Sequence, residues 1–171
     1  MDNNFFLSLK EKVGEKVKIS KIILIGIIFL SFIGVVNASY LTYEHYNEFE
    51  NMTCPAMGSM VDCLKVNTSV YSRLMGIPIA LLGVFYYSYI FLSTIYLFFS
   101  KYRNKIIKFN FAVSTFGVLF SVYLVYVQLG ILHAICPYCM LSAFLTILIF
   151  GLDVGLFLNI KKLHKNDNLN N

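Results

Sequence analysis

Four cysteines are the residues of this sequence best suited to chemistry, and they fall into two close pairs. Eight residues separate Cys54 from Cys63, and Cys136 and Cys139 enclose a Cys-Pro-Tyr-Cys motif. At a helix start, the sulfurs of a Cys-x-x-Cys pair stand at positions i and i+3, close enough to bridge. Unpaired N–H groups and the positive end of the helix dipole stabilise a thiolate there. The motif therefore indicates thiol–disulfide exchange.

Several other interpretations of the four cysteines remain open. Four cysteines allow three pairings, and bonding within each close pair is the simplest resting state. Both pairs could be structural disulfides, the four could bind zinc, or they could be unpaired packing residues. A Cys-x-x-Cys bond closes too short a loop to add much stability, and eight intervening residues are not a usual zinc spacing. We therefore predict redox-active cysteines and no metal.

The elements that must position these cysteines are four apolar stretches of membrane-spanning length. Hydrophobic residues make up 58% of the 171-residue chain and charged residues 13%, about half the charge of a soluble domain. This composition argues against an ordinary cytoplasmic enzyme, a nucleic-acid-binding protein and a disordered protein. A bilayer-spanning helix needs about 20 apolar residues, and uncharged stretches of that length cover 22–43, 78–100, 109–132 and 134–152, the last resuming to about 160. We predict an all-α integral membrane protein, a four-helix bundle over 22–160.

Charge sets the expected orientation of the bundle. Twelve of the 14 Lys and Arg residues lie before the first helix, between the second and third, or after the fourth. The positive-inside rule places those segments, 1–21 and the tail 161–171 included, in the cytoplasm. All four cysteines then lie outside the cytoplasm, where disulfides persist. We expect the asparagine-rich tail to be disordered.

The outer loop carries an apolar pattern of its own. Val66, Val70 and Leu74 follow Cys63 at intervals of four, which predicts one apolar stripe of a short helix lying along the membrane surface. Such a helix would hold Cys63 over the mouth of the bundle. The alternative is an amphipathic cap with no chemical role.

Four passages match one membrane family in order and spacing, and together they cover about 22–150. They are SYLTYEH at 39–45, the segment from Cys63 through GIPIALLG at 76–83, SVYL at 121–124, and CPYCMLSA at 136–143. On these motifs the sequence resembles the vitamin K epoxide reductase family in its stand-alone prokaryotic form. The DsbB type of disulfide-generating membrane protein fits worse, because its Cys-x-x-Cys lies in the first outer loop.

The resemblance implies a bundle around a quinone, located in the plasma membrane of a prokaryote. By position, Cys54 would meet a thioredoxin-fold, DsbA-like partner, and Cys63 would relay to the buried pair. Cys136 would receive that exchange, and Cys139 would face the quinone. Ser69 matches a serine that the family keeps near the redox centre. Many prokaryotic members carry a fused thioredoxin-like domain that this sequence lacks, so a partner supplied in trans is expected.

The substrate is left more open than the relay. Vertebrate enzymes have a tyrosine where this sequence has Ala143, which favours an ordinary membrane quinone, such as ubiquinone or menaquinone, over vitamin K epoxide. Reduction of vitamin K epoxide or vitamin K quinone, and a non-catalytic scaffold with structural disulfides, stay as alternatives. Asp153 is expected near the cytoplasmic surface, beside Lys161 or lipid headgroups. Candidate quinone contacts, each equally compatible with ordinary helix packing, are Tyr71, Phe85, Phe116, Phe120, Tyr123 and Ala143.

Overall fold

Four long helices build the protein. The structure, a computed structural model, describes residues 3–47, 54, 61–99 and 103–169. The long helices are α1 (Asn3–Tyr46), α3 (Ile79–Phe99), α4 (Arg103–Tyr126) and α5 (Pro137–Leu169), and a short α2 (Cys63–Thr68) lies between the first two. Four stretches, one in or beginning in each long helix, are long and apolar enough to cross a membrane. They are Lys21–Tyr46, Ile79–Leu97, Asn104–Leu132, which continues past the end of α4, and Pro137–Asn159. The predicted four-helix membrane protein is confirmed.

Two of the helices extend beyond the membrane spans. Helix α1 begins at Asn3, so residues 3–20 continue the first span as one helix. Helix α5 reaches Leu169, so the prediction of a disordered tail is wrong as far as that residue. Both extensions are rich in Lys and contain no proline, so nothing in them stops a helix that has already begun.

The loop between α1 and α3 is less helical than its apolar stripe suggested. Helix α2 ends because Ser69 adopts an extended backbone, with φ −63° and ψ 157°. A 3₁₀ turn (Val70–Ser72) and a two-stranded hairpin, β1 (Arg73–Leu74) with β2 (Ile77–Pro78), follow it. Val66 is buried, whereas Val70 is 86% exposed. The stripe therefore does not continue past α2, and only its first member packs inward.

Helix α1 lies between α3 and α5, and α5 also packs against α4. A central apolar cluster joins α1, α3 and α5 around Ile27, Ile90 and Ile149, and a second cluster joins Leu24 to Leu97 and Leu156. A third cluster contains the cysteines and lies at the other end of the bundle. The cysteine site is thus a separate layer above the membrane core.

The end of α4 is remodelled where it approaches that layer. After Tyr126 the helix widens into a π-helical segment (Val127–Leu132) and then stops at His133, which has a left-handed backbone with φ 47°. π-Helical turns and left-handed non-glycine residues are concentrated at functional sites. This turn leads directly into the Cys-x-x-Cys motif.

Candidate functional site

Backbone pairing fastens the outer loop to the start of α5. Val61 and Ile135 form an isolated parallel bridge, and the N–H of Asp62 donates to the carbonyl of Ile135 over 3.2 Å. Asp62 then caps α2, because its side chain accepts from the N–H of Lys65 over 2.8 Å, as N-cap residues do. The bridge brings the start of α2, where Cys63 lies, beside the start of α5.

The four cysteines meet in one cluster, with different bonding in the two pairs. Cys54 and Cys63 form a disulfide, while Cys136 and Cys139 are free thiols. Cys63 and Cys136 are almost fully buried together, and Cys54 and Cys139 pack against them half-buried. The expected local pairing is therefore found for the loop cysteines but not for the Cys-x-x-Cys pair.

Cys136 occupies the N-cap position of α5, which explains how its thiolate can be stabilised although the residue forms no disulfide. The Cys139 thiol donates a hydrogen bond to the Cys136 sulfur, and the backbone N–H groups of Cys139 and Tyr138 also donate to that sulfur. Together with a contact from Asn67, these donors outweigh the cost of burial and lower the pKa of Cys136 to about 7. A thiol of this kind is an effective nucleophile and leaving group near neutral pH.

Gln128 holds the turn that presents Cys136. Its side-chain oxygen accepts from the N–H of Cys136 over 2.9 Å, and its backbone carbonyl accepts from the N–H of Ala134 over 3.0 Å. Because Gln128 and Cys136 are both buried, a backbone N–H without this acceptor would be left unsatisfied. The π-helical segment and the Cys-x-x-Cys motif are therefore held to each other by hydrogen bonds.

Asn67 connects the two cysteine pairs directly. Its side-chain amide donates to the carbonyl of Cys63 over 2.9 Å and to the sulfur of Cys136 over 3.5 Å. The residue lies four positions after Cys63, which places both on one face of α2. The same amide thus orients α2 and stabilises negative charge on the Cys136 sulfur at the start of α5.

Helices α1 and α3 fix the first two turns of α5 from the membrane side. Asn37 donates to the carbonyl of Tyr138 over 3.1 Å and to the hydroxyl of Ser142 over 2.8 Å. Tyr87 donates to the carbonyl of Ser142 over 2.7 Å and shares a hydrogen bond of 2.9 Å with Thr146. Cys139 lies within this anchored segment, so its position is determined by the bundle.

A cavity of about 330 Å³ opens beside Cys139, between α3 and α4 and under the outer loop. Its wall is mostly apolar and aromatic. Helix α1 and the loop contribute the wall residues Ala38, Leu41, His45, Val66, Asn67, Ser69, Tyr71, Ser72 and Leu74, and the helices beyond them contribute residues between Pro78 and Thr146 that include Tyr86, Phe116, Phe120, Gln128, Cys139, Ser142 and Ala143.

Four of the six candidate quinone contacts line this cavity, namely Tyr71, Phe116, Phe120 and Ala143, and so does Ser69. Phe85 does not: it is 65% exposed on the other side of α3, because the cavity face of that helix is formed by positions such as 79, 82, 83 and 86. Tyr123 also lies outside; it is half exposed, and its ring packs against that of Phe120 at 6.2 Å.

The cavity fits a quinone headgroup in size and chemistry. Small-molecule sites occupy about 300–1,000 Å³ and combine apolar walls with a few polar groups. Here the aromatic rings can pack on a planar ring, and the Cys139 sulfur forms part of the wall. Within the described ranges, the structure contains no cluster of three His, Cys, Asp or Glu side chains able to hold a metal ion.

Sequence reasoning missed three polar residues that build this site: Asn37, Asn67 and Gln128. A signal was present for two of them, because a buried amide inside a membrane-spanning segment indicates a functional or packing role. For Asn67 the available signal was its helical spacing from Cys63. The partners of Asn37, and the Cys136 partner of Asn67, lie far along the chain, while Gln128 reaches Cys136 through a π-helical turn, so spacing alone could not name these contacts.

Comparison with known families gives a match over most of the chain. The sequence model described as the vitamin K epoxide reductase family matches residues 25–154, which include all four cysteines, the whole of the second and third spans and most of the first and fourth. A search of curated proteins finds no significant match. The matched family couples thiol redox chemistry to a quinone, so the match indicates a membrane oxidoreductase.

Proposed function

Because the chain belongs to the vitamin K epoxide reductase family, we propose that it oxidises an extracytoplasmic thiol partner and passes the electrons to a membrane quinone. The observation that carries this direction is the arrangement of the four sulfurs. Cys54 is half-buried in the loop, Cys63 and Cys136 are buried side by side, and Cys139 lines the cavity. Electrons can thus pass inward by successive thiol exchange.

The relay follows from the order of these sulfurs. A reduced, separate thioredoxin-fold protein attacks Cys54, which opens the Cys54–Cys63 disulfide and forms a mixed disulfide with the partner. The second thiol of the partner resolves that bond, so the partner leaves oxidised and Cys54 is released as a thiolate. The Cys63 thiolate attacks Cys136 in the Cys136–Cys139 disulfide, and Cys139 leaves. Cys54 then attacks Cys63, which restores the loop disulfide and releases Cys136 as a thiolate. The bonding pattern found here, an oxidised loop and a reduced inner pair, corresponds to this last state.

Reduction of the quinone completes the cycle. The two sulfurs of the inner pair give up two electrons as their disulfide forms, and the quinone leaves as hydroquinone. Ser69 and the wall residues Tyr71, Phe116, Phe120 and Ala143 would bound the ring in the cavity. The protein contributes alignment of Cys139 and exclusion of water.

We also propose that both termini are cytoplasmic, from the distribution of basic residues. Reporter fusions at Asn104 and Asn168 should report the cytoplasm, and a fusion at Asn51 should report the outside. An external signal at Asn168 would contradict this orientation and the assignment of the partner's compartment.

The relay is tested by trapping its central intermediate. In a Cys139→Ser variant, Cys136 can attack Cys63 of the loop disulfide, but the resolving thiol is missing. A Cys63–Cys136 disulfide should accumulate, with a mobility shift on non-reducing gels that dithiothreitol removes, and a linked peptide pair in mass spectra. The double variant Cys139→Ser/Cys136→Ser is the control. A Cys54–Cys136 pair would exchange the loop roles, and no linked pair would favour a structural scaffold.

Activity then decides the substrate. The purified protein in detergent should oxidise a reduced thioredoxin-fold protein with ubiquinone or menaquinone as acceptor. Vitamin K epoxide, tested in parallel with a dithiol reductant, should be turned over poorly because Ala143 provides no phenol at that position. If vitamin K epoxide is the preferred substrate, the proposed electron acceptor is wrong.

A further inference from the structure

Two polar atoms remain unsatisfied inside the bundle, on the side of the cavity away from the loop. Asp153 of α5 is 2% exposed, and its carboxyl hydrogen-bonds the hydroxyl of Ser114 on α4. Its second oxygen, and the buried hydroxyl of Tyr86 on α3, have no hydrogen-bond partner among the residues that the structure describes. Asp153 thus lies in the core of the bundle, not beside Lys161 as the sequence suggested.

Tyr86 connects this buried carboxyl to the cavity. Its side chain lines the cavity wall, and its hydroxyl lies against Gly117, where a Cβ atom would stand only 2.8 Å from it. Ser114, the partner of Asp153, lies one turn away from Gly117 on the same helix, about 5 Å along its axis. The Tyr86 hydroxyl is therefore placed between the cavity and the carboxyl.

The neighbouring tyrosine shows that this arrangement is specific to Tyr86. The Tyr87 hydroxyl is fully engaged by Ser142 and Thr146, and it anchors α5. Tyr86, one residue earlier, has a buried hydroxyl that lies near Thr146 but makes no well-aligned hydrogen bond to any residue that the structure describes. A buried hydroxyl without a partner is costly, and a ligand oxygen in the cavity would satisfy it.

The groups that act on Asp153 are polar and uncharged. They are the Ser114 hydroxyl on α4 and the phenols of Tyr86 and Tyr89 on α3. Tyr89 in turn donates to Asn110 over 3.0 Å. None of these carries a positive charge, and a buried carboxylate without a cation is strongly disfavoured.

We propose that Tyr86 and Asp153 form a proton-donating pair for the quinone. The Tyr86 hydroxyl donates a hydrogen bond to a quinone carbonyl oxygen and gives up its proton to it. Asp153, whose unpartnered oxygen does not bond Tyr86 directly in this structure, replaces that proton through a bridging water molecule, and so supplies one of the two protons that reduction requires. Tyr86 is the residue in contact with the substrate, and Asp153 acts through it. This inference rests on the proposed reduction of a quinone in the cavity.

The protons needed to form hydroquinone explain why a pair such as Tyr86 and Asp153 would be required. Forming hydroquinone takes two electrons and two protons. The inner cysteines supply both electrons as their disulfide forms, but the donors around Cys136 favour its thiolate, and from that state the pair brings only the proton of Cys139. The second proton comes from Asp153, which becomes a carboxylate, and a proton from water restores it after hydroquinone has left.

The test compares steady-state reduction of a short-chain ubiquinone by the full chain in detergent, with a reduced thioredoxin-fold protein as donor. Asp153→Asn keeps a hydrogen-bonding group beside Tyr86 but has no proton to give, so we expect kcat to fall about 100-fold with little change in KM. Tyr86→Phe should lower kcat and raise KM, because the substrate contact itself is lost. Asp153→Glu should recover most of the rate. Tyr96→Phe, the same change on the lipid-exposed side of α3, is the matched control.

The outcomes separate this inference from the proposed function. If the wild-type protein reduces no quinone, the proposed function fails. If the wild type is active and Asp153→Asn retains its kcat, the proton-donating pair is wrong. The Cys63–Cys136 trap should form normally when Asp153→Asn is added to Cys139→Ser, which shows that the outer relay is intact. Should Asp153→Asn not fold, an unchanged kcat in Tyr86→Phe overturns the proposal.

Discussion

Removal of the Asn67 amide should raise the pKa of Cys136 and slow the relay. A hydrogen bond to a charged group contributes about 1.5–3 kcal/mol. The contact between Asn67 and the Cys136 sulfur is long, at 3.5 Å, and it is one of several donors, so the lower end applies. Since about 1.4 kcal/mol corresponds to one pKa unit, Asn67→Ala should move the pKa from about 7 to about 8.

The consequence is measurable near neutral pH. At pH 7 the thiolate fraction of Cys136 should fall from about one half to about one tenth, and any step in which this thiolate attacks should slow about fivefold. The ultraviolet absorbance of the thiolate, titrated in the protein with its inner pair reduced, reports the pKa without requiring access to the buried sulfur. Thr68→Val is the control, because Thr68 bonds only within α2. An unchanged titration midpoint in Asn67→Ala would refute the assigned role.

Three further predictions concern the support of the site. Gln128→Leu leaves the Cys136 N–H without its acceptor, so the free energy of unfolding should fall by about 1–3 kcal/mol and turnover should drop; equal thermal stability would contradict the assigned hydrogen bond. Gly34→Val should destabilise the protein by about 1–3 kcal/mol or more, because even a Cβ atom there collides with the Tyr87 ring, whereas Gly151→Ala, with nothing within 4 Å, should be tolerated. With the inner pair reduced, thermal stability should rise between about pH 7 and pH 9, because in that window the unfolded chain still binds the proton that folded Cys136 has released. The Cys136→Ser variant should lack this rise. An equal rise in that variant would exclude Cys136 as its source.

Much of the fold could be predicted because its signals are local. The apolar stretches have bilayer length and the Cys-x-x-Cys motif marks the start of α5, and both follow from spacing within a single segment. The prediction that the helical stripe continues past α2 was wrong for an equally local reason. Ser69 leaves the helical conformation and bonds its own turn, with its hydroxyl donating to the carbonyl of Val66 over 2.8 Å, as serine often does at helix ends.

The remainder of the site depends on how the helices are rotated about their axes. In a span that is apolar all round, hydropathy does not tell which face points inward, so Phe85 could not be distinguished from Tyr86. The same uncertainty concealed Asp153, whose distance from the motif suggested a surface position, although its face of α5 turns toward Ser114. Long-range partners such as Asn67 and Cys136 became visible only in three dimensions.

The bridge between Val61 and Ile135 also constrains the order in which the site can come into being. A chain made from its N-terminus exposes Cys54 and Cys63 before α3, α4 and α5 exist, and their bond spans only nine positions. The pairing of residue 61 with residue 135 requires α3 and α4 to be inserted first. The loop disulfide can therefore close early and without competition from the later cysteines. The contact between Cys63 and Cys136 forms only after the later helices have been inserted.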